Sequence, residues 1–135
     1  MSLENFYRSL YSKKDELSKM EEEIEEWKDT PRYKMGMFVK LIINGTLFRK
    51  QLSNMFEGSN KIDIGNAGEF IMYNRAWYWI KDFNIEDSDW VESVIPYEEE
   101  EVVRACDLTI SYFENLEEFE KCSLLLSIKK LFKNA

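Results

Sequence analysis

The chain of 135 residues contains no histidine, and this absence removes whole classes of chemistry. Without an imidazole there is no Ser-His-Asp or Cys-His nucleophile system and no histidine-ligated metal site. The two cysteines, Cys106 and Cys122, have no CxxC partners, so neither a zinc site nor a disulfide framework is indicated. Glycine-rich phosphate loops and the GxSxG motif are also missing. We therefore predict a protein that is not an enzyme, with no catalytic residue, no cofactor and no metal.

Glycine and proline are scarce, with five and two residues, and long apolar runs are missing. Few turn-forming residues argue against an all-β fold. No segment approaches the roughly 20 apolar residues that span a bilayer, and the first residues do not resemble a secretory signal. We expect a cytoplasmic protein that does not bind membranes. The aromatic content of 15% and the chain length predict a single domain over residues 1–135 with a real core.

The N-terminal segment carries a heptad repeat in which seven of eight seam positions are apolar and the eighth is Lys13. This pattern predicts a helix from Ser2 to about Lys28, roughly 40 Å long at 1.5 Å per residue. Two interpretations stay open, a coiled-coil homodimer and a helix packed on its own domain. The predicted oligomer seam consists of Leu3, Phe6, Leu10, Leu17, Met20, Ile24 and Trp27.

The segment 35–52 fits two periods. Its apolar residues step by three and four as in a helix, yet they also alternate strictly, and Asn44-Gly45 between two apolar runs is a strong hairpin signal. A helix and a small β-hairpin are therefore equal alternatives here. Gly58 to Gly65 is predicted as a loop. Asn66 and Glu69 then resemble a capping box, which starts a helix from Ala67 to about Asp82.

The C-terminal third predicts three helices. A short one covers Asp87 to Val94, and a longer one begins at Pro96 and ends near Glu114. A second capping-box pattern at Asn115 begins the last helix, Leu116 to Phe132, and the short joint makes an αα-hairpin. The predicted fold is mainly α, a compact bundle of five or six helices with a long N-terminal helix and a C-terminal αα-hairpin. The alternative is α+β, if residues 35–52 form the β-hairpin.

Charge is distributed unevenly along the chain. Residues 84–120 hold thirteen acids and one base, a net of −12, whereas residues 1–83 are balanced and residues 121–135 carry +4. Many of these acids sit at predicted helix starts, where the helix dipole favours them. The same block is also suited to a basic protein, by imitating a phosphate backbone. The predicted partner-binding residues are Glu86, Asp89, Trp90, Glu92, Glu98, Glu99, Glu100, Glu101, Glu117 and Glu118.

From these patterns we predict a small acidic, non-catalytic protein-interaction module. It would regulate or inhibit a protein partner, with a basic nucleic-acid-binding protein as the sharpest case, and would not bind nucleic acid directly. One alternative is a Mg²⁺-dependent all-α enzyme acting on nucleotides, because Glu22, Glu25 and Glu26, like Glu98 and Glu101, have ligand-like helical spacing. Another is a structural or assembly subunit that uses the heptad helix.

Overall fold

Helices form all the regular structure in the part of the chain that the structure, a computed structural model, describes, namely residues 2–55 and 60–132. The mainly α prediction is therefore confirmed. Two compact units are present, Met1–Thr30 and Pro31–Ala135. A single domain over residues 1–135 stays a prediction. The helices are α1 Leu3–Lys28, α2 Pro31–Met55, α3 Asn60–Ile80, α4 Ser88–Glu92, α5 Glu99–Asn115 and α6 Phe119–Lys129.

α1 is the first unit, and local signals determine both of its ends. The hydroxyl of Ser2 accepts a hydrogen bond from the Asn5 amide at 3.2 Å, which satisfies one of the unpaired donors of the first turn. Lys28 in the last turn suits the negative end of the helix dipole. Pro31 then starts α2, since proline is favoured at the first helical position. The predicted N-terminal helix is confirmed.

α2 covers the whole segment 35–52, so the β-hairpin alternative is wrong. The helical period prevails because it brings Met35, Phe38 and Ile42 to one face, and all three side chains are fully buried. Gly45 lies inside this helix and not in a turn. A Cβ at Gly45 would meet the side chain of Met72, so the missing side chain lets α3 approach closely.

α3 begins at Asn60, several residues before the predicted start at Ala67. Asn66 is therefore inside a helix and does not cap one. Glu69 instead forms an ion pair across to α2, with 2.9 Å between its carboxylate and the guanidinium of Arg49. The capping-box prediction is wrong because α3 already runs through Asn66, so no helix starts there. The predicted loop is wrong over residues 60–65, which are helical, and its residues 58 and 59 lie outside the described residues.

The C-terminal region matches the prediction in its elements and differs in their boundaries. Asp87 caps α4 by accepting from the Asp89 amide at 3.0 Å. α5 and α6 pack together as the predicted αα-hairpin. Asn115 ends α5 and does not start α6, because Glu117 turns the chain with a φ of 60°, the left-handed region. That reversal moves the start of α6 to Phe119.

The second unit is built around α2, which packs against α3, α4 and α5. α6 completes the unit by packing on α5. Within the described ranges, 2–55 and 60–132, the structure contains no helix that combines the length and the apolar character needed to cross a bilayer. A cytoplasmic location stays a prediction. The buried core comprises Met35, Phe38, Val39, Ile42, Met72, Tyr73, Ala76, Ile80, Phe83, Trp90, Val94, Val102, Ala105, Cys106, Phe113, Leu125 and Ile128.

Candidate functional site

The seam of α1 is the candidate site because its large apolar side chains remain exposed. No residue of α1 is buried. The seven apolar seam residues keep between 47% and 70% of their surface exposed, with Leu3 at the upper limit and Leu10 and Ile24 at the lower one. They form a stripe along the helix that only Lys13 interrupts, since heptad spacing returns a side chain to the same face every two turns. Contiguous apolar surface of this kind marks interaction sites.

A groove lies near the C-terminal end of this stripe. Met20, Glu23, Ile24 and Trp27 line this open groove, which has a volume of about 210 Å³. These residues stand at i, i+3, i+4 and i+7, which is the diamond of four side chains that receives a knob from a facing helix in a coiled coil. An apolar cavity of about 150 Å³ holds a benzene molecule, so this groove has room for one aromatic ring.

Charge is polarised along α1. Residues 2–14 carry three bases against one acid, a net of +2, whereas residues 16–28 carry six acids against two bases, a net of −4. Exposed ion pairs within the helix add little, since pairs one turn apart contribute about 0.2–0.5 kcal/mol. The two pairs are Arg8–Glu4 at 3.4 Å and Lys28–Glu25 at 3.6 Å. The N-terminal half of the helix therefore has a basic surface and the C-terminal half an acidic one.

The predicted acidic surface is exposed over most of its length. The carboxylates of Glu118 and Asp107 are engaged within the αα-hairpin, at 3.2 Å from the ammonium of Lys121 and 2.9 Å from that of Lys129. Asp107 thereby connects α5 to α6, whereas the pair of Glu118 is local to the start of α6. The exposed predicted contacts are Glu86, Asp89, Glu92, Glu98, Glu99, Glu100, Glu101 and Glu117.

Trp90 was predicted as a surface contact, and its position corrects that prediction. Only 6% of its surface is exposed, and its ring packs edge-on against Phe83 with centroids 5.6 Å apart. Other aromatics near the block are also used internally. Tyr112 stacks on Tyr73 at 4.4 Å, and the Tyr97 hydroxyl donates to a backbone carbonyl of α2 at 3.4 Å. Trp90 is therefore not available as a surface contact, and the exposed aromatic residue of the block is Phe119, with 62% of its surface exposed.

The cysteines behave as packed side chains. Burial raises the pKa of the Cys106 thiol to about 12, with the neighbouring Asp107 adding to the effect, so the thiol stays protonated at neutral pH. The Cys122 thiol donates to the Ile110 carbonyl at 3.5 Å, and burial also raises its pKa. Asp107, next to Cys106, instead meets Lys129 of α6. The two thiols therefore lie at different levels of the hairpin.

The part of the chain that the structure describes contains no cluster of side chains suited to hold a metal ion. Over residues 2–55 and 60–132 no three Cys, Asp or Glu side chains converge as the ligands of an ion would. The spacing of Glu22, Glu25 and Glu26 places them along the outside of α1. The carboxylate–metal enzyme stays a prediction from spacing alone.

Comparisons with protein families, with curated proteins and with solved structures found no match. The chemistry of the exposed surface is therefore what bears on function. Glu23 is part of that surface although it lies outside the predicted seam. Glu23 follows Met20 by three residues and precedes Trp27 by four, so it flanks the seam. Residues at flanking positions form part of each hole in a coiled coil, and this spacing could have identified Glu23 from the sequence.

Proposed function

We propose that this protein is a non-catalytic assembly module that associates with further copies of itself by packing the seam of α1 against another α1. The observation that supports this proposal is the exposure of seven large apolar side chains on one face of a 26-residue helix. Such a helix gains most of its stability from packing an apolar face and little from helix propensity. An unpaired α1 would forgo that contribution.

The size of the surface fits a specific interface. Removing the half-exposed seam residues of two copies from water buries on the order of 1,000 Å² of apolar surface, the size at which specific interfaces begin. Phe6 and Trp27 are aromatic, and aromatic side chains are enriched among the residues that dominate binding energy. The seam therefore combines sufficient area with suitable anchors.

The acidic block supports a partner less directly. Its carboxylates are exposed, but Trp90, the aromatic residue expected to anchor a partner, is packed inside the second unit. Exposed carboxylates by themselves give electrostatic steering and salt-sensitive affinity. Inhibition of a basic nucleic-acid-binding protein by this block stays a prediction, to be tested by salt-sensitive binding.

Sedimentation of the full chain over a wide concentration range tests the proposal. The wild-type protein should dimerise. Ile24→Glu places a charge in the seam and should abolish the dimer, since a buried charge without a partner is strongly disfavoured. Ser18→Glu makes the same charge change on the outer face of the helix and should leave the dimer intact. A wild-type monomer at every concentration, or equal effects of the two substitutions, would overturn the proposal.

A further inference from the structure

We infer that two copies of α1 pair in antiparallel orientation about a two-fold axis near Asp15, so that Phe6 of each copy fills the groove of the other. This inference rests on the proposed function, because it names the partner surface and the orientation of the same seam. The groove, Lys13 and the charge polarity of α1 each carry it independently.

The first observation is the position of the groove. When two copies of α1 pair in antiparallel orientation over their full length, the residue numbers of two facing seam residues add up to 30. Phe6 then lies at the level of the partner's Ile24, directly over the diamond of Met20, Glu23, Ile24 and Trp27. Leu3 meets the partner's Trp27 at the same time. All eight seam positions are matched in this register, and the roughly 210 Å³ groove receives an aromatic ring.

The second observation is Lys13, the one polar residue of the seam. In a parallel pair Lys13 packs into a hole formed by the partner's Leu10, Lys13, Lys14 and Leu17. That layer then contains four ammonium groups from the two copies and no acid. In the antiparallel pair the hole consists of the partner's Lys13, Glu16, Leu17 and Met20, which places a carboxylate beside each ammonium. A charge partly removed from water is tolerated when it is paired, so Lys13 favours the antiparallel orientation.

The third observation is the polarity of α1 as a whole. Five of the six residues 21–26 are glutamates. In a parallel pair the C-terminal halves of the two helices, each of net charge −4, lie side by side. In the antiparallel pair each C-terminal half lies beside the partner's N-terminal half, which has a net charge of +2. Opposite potentials on facing surfaces favour the encounter and determine its orientation, and like potentials oppose it.

The antiparallel orientation also determines where the two chains leave the paired helices. It places Lys28 of the two copies at opposite ends of the paired helices, roughly 40 Å apart at 1.5 Å per residue. Residues 31–135 of each copy therefore continue from opposite ends. In a parallel pair both chains would leave from one end.

Charge reversal at Lys13 tests the orientation. Lys13→Glu in the full chain should weaken the dimer on the order of ten-fold or more, because by symmetry two attractive pairs with Glu16 become repulsive. The double variant Lys13→Glu with Glu16→Lys should restore most of the affinity. Lys19→Glu makes the same charge change on the outer face and should leave the dissociation constant nearly unchanged. Sedimentation gives the constants, and circular dichroism confirms that each variant is folded.

The opposite response would overturn the inference. In a parallel pair Lys13→Glu brings a carboxylate to the partner's Lys14 and so tightens the dimer, and the double variant restores nothing. Either result, in a dimer that Ile24→Glu still abolishes, would remove the antiparallel orientation and leave the proposed function standing. A wild-type chain that is monomeric throughout would remove both.

Discussion

Phe113 is the residue whose truncation most directly tests the packing of the second unit. Its side chain is fully buried in α5. It contacts the edge of Trp77 from α3 with centroids 6.0 Å apart, and the ammonium of Lys121 from α6 lies 4.6 Å from the centre of its ring. One ring therefore joins three helices, and we expect Phe113→Ala to loosen all three contacts together.

The expected magnitude follows from burial and from the ring contacts. Truncating a buried Phe to Ala costs about 3–5 kcal/mol through lost burial and the cavity left behind. The edge-to-face contact with Trp77 adds about 0.5–1.5 kcal/mol beyond burial, which places Phe113→Ala near the upper limit of that range. Domains of this size unfold with about 5–15 kcal/mol, so the variant should lose a large part of its stability.

Urea unfolding followed by circular dichroism measures this loss. The matched control is Phe119→Ala, in the same αα-hairpin, because 62% of the Phe119 surface is exposed. The control should stay within about 0.5 kcal/mol of wild type. A loss below about 1 kcal/mol for Phe113→Ala, or equal losses for the two variants, would refute the packing described for α5.

A double-mutant cycle separates the ring contact from burial. Trp77 is half-buried, so Trp77→Ala should cost about 3 kcal/mol, the lower limit for large aromatic truncations. The double variant with Phe113→Ala should cost less than the sum of the two single variants by about 0.5–1.5 kcal/mol, because the contact between the rings is then lost only once. Strict additivity would mean that the rings do not interact.

Three further predictions concern other parts of the second unit. Gly36→Ala should destabilise by about 1–3 kcal/mol in thermal unfolding, because the added Cβ overlaps Tyr97, although the same change in an open helix stabilises. Burial raises the pKa of the Cys106 thiol from 9.0 to about 12. The protonated thiol should therefore contribute its full share to the free energy of unfolding below pH 9 and progressively less as the pH rises to 12. Relative to Cys106→Ala, unfolding free energies should show an extra slope of about 1.4 kcal/mol per pH unit there, and parallel profiles would contradict the burial of this thiol. Reversing the charges of residues 98–101 should lower the melting temperature in calorimetry, because these acids stand at the start of α5 where the helix dipole favours them, and should leave the dimer unchanged in sedimentation, because they are exposed and lie outside α1.

The extent of α1 and its apolar seam could be predicted because the signals are local. A serine cap, a heptad repeat and a following proline lie within one segment. The exposure of the seam could not be predicted in the same way. A heptad indicates that a helix has a partner-facing side, but only the structure shows whether that side is covered.

Elsewhere the tertiary structure decided between local alternatives. Residues 35–52 satisfy both a helical and a strand period, and the helix prevails because one face of α2 meets α3, α4 and α5 at once. Glu69 has the spacing of a capping residue, yet Arg49 lies 2.9 Å away and takes its carboxylate. Trp90 lies in an acidic stretch and is nevertheless buried against Phe83. The sequence by itself determined where helices form and which of their faces are apolar, because these follow from propensity and period. Which face is buried, and which carboxylate is paired, depended on side chains brought together from distant parts of the chain.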